Sequence, residues 1–82
     1  MPVLGLRMDK ETLKQRLAEV GDHIALGRQH IAQQLKIIAE IERRHGDSTG
    51  ARQTLHTIAQ TQLVHLDDRD RLMRMLEGVS EA

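Results

Sequence analysis

Leu17, Ile24, Ile31 and Ile38 recur every seven residues, and Ala18, Ala25, Ala32 and Ala39 follow each of them by one. Seven residues are close to two turns of α-helix, so each set forms a stripe along one helix. No proline interrupts the helical spacing between Lys10 and His45. A helix of that length runs about 54 Å at 1.5 Å per residue. Asp9 is its natural N-cap, since a carboxylate accepts the free amides of a first turn.

The run RRHGDSTGAR breaks the pattern. Gly46 suits the left-handed position just past a helix end, and Asp47 or Ser48 can cap a second helix. The expected layout is an N-terminal arm over 1–8, a first helix over 9–45, a link over 46–50, a second helix over 50–77 and a frayed end over 78–82. A short link between two long helices makes them antiparallel neighbours. The fold class expected is therefore all-α: an antiparallel, coiled-coil-like two-helix hairpin, dimerising into a four-helix bundle.

The hairpin seam expected from hydrophobic spacing uses Leu13, Leu17, Val20, Ile24, Ile31, Leu35, Ile38 and Ile41 on the first helix. On the second it uses Leu55, Ile58, Ala59, Leu63, Leu66, Met73 and Leu76. The alanine stripe, with Gly21, lies about 100° further round the first helix. Small side chains there permit close approach of another helix. Val64, Leu72 and Met75 are off the seam of the second helix and would be stranded in a lone hairpin. The expected dimer interface thus comprises Ala18, Gly21, Ala25, Ala32, Ala39, Val64, Leu72 and Met75.

Composition points the same way. The chain has 82 residues, with no Phe, Tyr, Trp or Cys, so its core lacks the largest side chains and any disulfide. Small scaffolds without such reinforcement gain stability by oligomerising. Twelve basic and twelve acidic residues balance, which gives no overall field toward nucleic acid or anionic lipid. The opening MPVLGLRMDKE is too short an apolar run for a signal peptide, and no stretch is a membrane span. A cytoplasmic location is expected.

Polar residues interrupt the apolar faces. With the link centred on residue 48, antiparallel partners have numbers adding to about 96, which sets Gln34 against Gln62. His30 and His65 fall within a turn of them. These four form a candidate polar seam layer of the kind that fixes register at a cost in stability. The metal geometry that can be built is His30 with His65, helped by Asp68. His23 and His30 stand about 10 Å apart along the axis, too far for one ion. Packed histidines are the simpler reading, so no metal or other cofactor is expected. In HLDDRDRL, Asp67 with Arg71 and Asp70 with Arg74 are i, i+4 pairs of a solvated surface. Arg43, Arg44 and Arg52 gather at the tip as a candidate anion site, although basic residues there also suit the helix dipole. No spacing suggests a nucleophile with its base, so no enzyme is expected.

The run GRQHIAQQLKIIAEIERRHGDSTGARQTL, with HLDDRDRL further on, resembles a set of small uncharacterised helical-hairpin proteins of soil and plant-associated proteobacteria. The residues carrying the likeness are Arg28, His30, Ile31, Gln34, Ile38, Glu42, Gly46, Asp47, Thr49, Ala51, Arg52, Leu55, His65 and Arg69 to Leu72. Ile58 departs from the pattern, which has an aromatic residue near that position. The resemblance implies a hairpin and an interaction module, and it brings no assigned activity. The expected function is a non-enzymatic oligomerisation or protein-interaction module with a homodimer and a protein partner. The alternatives are a small-ligand or metal-binding bundle using His30 and His65, and a nucleic-acid-associated regulator using the basic tip.

Overall fold

The computed structural model describes residues 9–81; the arm expected over 1–8 lies outside them. Two helices, α1 (Lys10–Arg43) and α2 (Thr49–Glu81), pack against each other as an antiparallel hairpin. Among the described residues there is no strand, and no helix is long and apolar enough to cross a membrane. α1 passes through Gly21 and Gly27 without a break. α2 continues beyond Gly78 to Glu81 rather than ending at Glu77, since one glycine costs only about 1 kcal/mol of helix propensity.

Asp9 caps α1 as expected: Thr12 N–H donates to Asp9 Oδ1 at 2.8 Å. The turn at the other end departs from expectation. His45, with φ 60°, takes the left-handed position assigned to Gly46. His45 N–H donates to the Glu42 carbonyl and Gly46 N–H to the Ile41 carbonyl, which is a Schellman closure one residue earlier. Gly46 is needed for a different reason. A Cβ there would stand 3.0 Å from Ile41 Cγ2 and 3.2 Å from the Ile41 carbonyl oxygen. Asp47 then caps α2 by accepting from the Thr49 N–H at 3.0 Å, while Ser48 is buried and its hydroxyl is committed elsewhere.

The register across the hairpin also differs from that expected. Gln34 meets Ala51, Gln62 meets Ile24 and His65 meets His23. Those numbers add to 85, 86 and 88, not to about 96. Gln34 therefore does not face Gln62.

Among the described residues, Leu13, Ile24, Ile38 and Leu72 are the buried apolar side chains. Leu17, Val20, Ile31, Ile41, Leu55, Ile58, Leu66 and Leu76 are half-buried around them. Three residues expected in the seam turn outward instead: Leu35 at 52% exposure, Leu63 at 64% and Met73 at 46%. Leu72, expected on the outside, is 6% exposed and closes the seam. The cause is that the α2 seam admits polar residues. It follows Ala51, Leu55, Ile58, Gln62, His65, Arg69, Leu72 and Leu76, all buried or half-buried at alternating steps of four and three. Hydrophobic spacing alone selects Leu63 over its neighbour Gln62, and Met73 over Leu72, an error of one residue or about 100°.

Candidate functional site

Gln62 is the polar centre of the hairpin. It is 7% exposed, and its Nε2 donates to the Ile24 carbonyl at 2.9 Å. Its Oε1 is buried with no hydrogen-bond partner. That oxygen lies against Gly27, where any Cβ would collide with the Gln62 carboxamide. Gln34 makes the matching bond from α1, donating from Nε2 to the Ala51 carbonyl at 2.9 Å. Each glutamine thus ties its own helix to the backbone of the other, and they act at separate levels.

The histidines also differ from the expected cluster. His65 packs against His23, with ring centroids 5.1 Å apart and planes tilted by 37°. His30 lines a groove with them over Gly27 and Gln62, walled by Thr57 and Thr61, with a volume of ≈ 260 Å³. A second groove, ≈ 390 Å³, continues along the same side past His23 and Asp68 to Met75. Among the described residues no three His, Asp or Glu side chains gather as a metal site.

These grooves mark one of the two broad faces of the hairpin. His23 and His30 precede the seam residues Ile24 and Ile31 by one, whereas Ala25 and Ala32 follow them by one. The histidines and the alanines therefore flank α1 on opposite sides. Met75 lines a groove with His23, and Val64 stands two turns on from Thr57 of the first groove. Val64 and Met75 accordingly belong to the histidine face. Ala18, Gly21, Ala25, Ala32 and Ala39 are all exposed on the other. The two halves of the expected dimer interface lie on opposite faces, with Leu72 between them in the seam. On α2, Ala59, Leu63, Leu66 and Met73 each follow a seam residue by one and so lie on the side of the seam away from Thr57 and Thr61.

At the tip, the arginines proposed for an anion are already engaged. Arg43 pairs with Glu40 at 2.6 Å and Arg44 with the same carboxylate at 2.9 Å. Arg52 Nε donates to Glu42 Oε2 at 3.0 Å. An added anion would have to compete with these carboxylates. Further along, Arg71 pairs with Asp68 at 2.9 Å and Arg69 with Asp70 at 3.2 Å, in place of the i, i+4 pairs expected in that run. Exposed pairs of this kind are worth little singly.

Glu42 is the exception in role, because it joins the two helices across the turn. Ser48 Oγ donates to its Oε2 at 2.7 Å. The Ser48 bond, then the Arg52 bond, hold the Glu42 carboxyl below its usual range, with the Arg52 charge adding to them. The Thr49 bonds lower Asp47 and the Thr12 bonds lower Asp9 in the same direction. A folded-state pKa below the unfolded one gives stability that is present above the usual carboxylate value and lost as pH falls through the folded value. The melting temperature should therefore fall as pH drops below the usual carboxylate range. Glu42→Gln should melt lower at neutral pH and show a shallower acid decline. Parallel acid profiles for wild type and variant would remove Glu42 from this role.

No family model, curated protein or solved structure matches the chain.

Proposed function

We propose that the chain is a non-enzymatic helical-hairpin module that self-associates and presents a helix face to a protein partner. One observation carries this reading. Among the described residues, eight large apolar side chains remain 39–64% exposed on the hairpin, against four that are buried. Apolar side chains exposed in this number suit a surface that associates.

Of the two faces, the alanine face suits a second hairpin better. It is built from small side chains with Leu35, Leu63 and Met73 among them, whereas the histidine face is grooved and carries Thr57, Thr61 and His30. Ala25→Glu with Ala32→Glu would place two like charges per chain on that face, where unpaired buried charge is costly. Sedimentation at micromolar concentration should show a wild-type dimer and a dissociated double variant. A folded wild-type monomer would sink the proposal.

A second reading, a small ligand in the groove between His23, His30 and Thr61, is favoured by the unpartnered Gln62 oxygen beneath it. Ligand-dependent shifts of the His30 and Thr61 resonances at constant oligomeric state would support it. Absence of such shifts across a fragment library would remove it.

A further inference from the structure

We infer that the second copy docks on the alanine face with the two α1 helices antiparallel, about a two-fold axis at the level of Arg28 and Gln29. This rests on the self-association proposed above and adds its geometry and register. The argument begins with charge. Lys14, Asp22, Arg28, Lys36 and Glu42 are all exposed residues beside the alanines. In a parallel two-fold dimer each of them would meet its own copy, giving like-charge contacts throughout. In the antiparallel arrangement Asp22 meets the partner's Lys36, and symmetry repeats the contact; Lys14 also stands opposite the partner's Glu42, where it adds to pairs that Lys14 makes with Glu11 and Glu42 with Arg52 in the hairpin. Asp22 and Lys36 form no ion pair within the hairpin among the described residues. Charge matching of this kind selects orientation and register more than affinity.

Shape selects the same register. Leu35 protrudes from the hairpin at 52% exposure, and a Cβ on Gly21 would meet nothing within 4 Å. The register that pairs the charges also sets Leu35 over the partner's Gly21 and Ala25 beside the partner's Ala32. A large side chain then enters the one place on the face that lacks a Cβ. Sliding the partner by one heptad in either direction would set Leu35 against the partner's Arg28 or the partner's Lys14. The single opposing contact is Arg28 with the partner's Arg28, at the axis, where two long stems can part around it. An isologous interface has this form, each contact occurring twice except at the axis.

The chain lacks cysteine, so introduced thiols report cleanly. Ala25→Cys with Ala32→Cys, oxidised at low micromolar concentration and mapped by peptide mass spectrometry, should give links from residue 25 to residue 32 between chains. Within one helix those positions are about 10 Å apart and cannot join. Links of 25 to 25 and 32 to 32, or a wild-type dimer with no links, would overturn the register and leave self-association standing. A wild-type monomer in sedimentation would overturn both. Two further variants test the contacts in solution. Asp22→Lys should weaken the dimer about tenfold or more, a loss of about 1.4 kcal/mol, and Asp22→Lys with Lys36→Asp should recover it. Gly21→Leu should raise the helicity of the lone hairpin yet weaken its dimer, because the space for the partner's Leu35 is filled. Failure of the charge swap to recover affinity, or undiminished dimerisation of Gly21→Leu, would overturn the proposed register.

Discussion

Ile24→Ala should unfold much of the hairpin at room temperature. Ile24 is 5% exposed and sits near the middle of the seam, with its carbonyl held by Gln62. Truncating a buried Ile costs about 2–5 kcal/mol, part of it from the cavity that remains. A small domain has only about 5–15 kcal/mol in all, and among the described residues just four apolar side chains are buried fully enough to lose such an amount. No aromatic neighbour is available to collapse into the space. Leu26→Ala is the matched control: Leu26 is 49% exposed, and its loss should lie within about 1 kcal/mol. Thermal melting by circular dichroism compares the two directly. Equal losses would mean that the seam is not where the cohesion of the chain resides.

The second large effect concerns Gly27. Gly27→Leu should destabilise the hairpin by about 2–3 kcal/mol. The three atoms nearest to a Cβ at that position all belong to the Gln62 carboxamide. The new side chain must displace that group and break its bond to the Ile24 carbonyl. Helix propensity acts the other way, by about 1 kcal/mol, so the net sign measures the collision. Gly27→Leu combined with Gln62→Ala should recover most of the loss, since the obstacle and its orphaned oxygen are removed together. Guanidinium melts of the three proteins provide the test. If Gly27→Leu alone is neutral or stabilising, Gln62 has another accessible arrangement and does not lock the seam.

Gln62 also explains how far the fold was legible in the sequence. The helices, their antiparallel pairing and the cap at Asp9 follow from local rules, because spacing, proline absence and capping act within a few residues of one chain segment. On α1, seven of the eight expected seam residues are buried or half-buried, since that seam is mostly aliphatic. On α2 the seam contains Gln62, His65 and Arg69, and Leu63 and Met73 stand beside it as more hydrophobic decoys. A carboxamide belongs in a seam only if a backbone carbonyl across the hairpin accepts from it. That carbonyl, on Ile24, is thirty-eight residues away in the chain.

The same division holds for the candidate interface and the polar layer. The heptad stripes by themselves determined that α1 carries a large-residue face and a small-residue face about 100° apart, because a regular helix turns residue number into angle. Which α2 residues share the small-residue face depended on register and on the rotation of α2 about its own axis. Both were set by the Schellman turn at His45, the close approach of Gly46 to Ile41, and the tie from Glu42 to Ser48 and Arg52. In the register observed, His65 meets His23 rather than His30, and Gln34 and Gln62 act at separate levels. Composition and periodicity carry no record of that register, since one helix can slide past another with little change to its own backbone hydrogen bonds; the choice among registers lies in side-chain contacts between the two helices, and those exist only once the chain has turned.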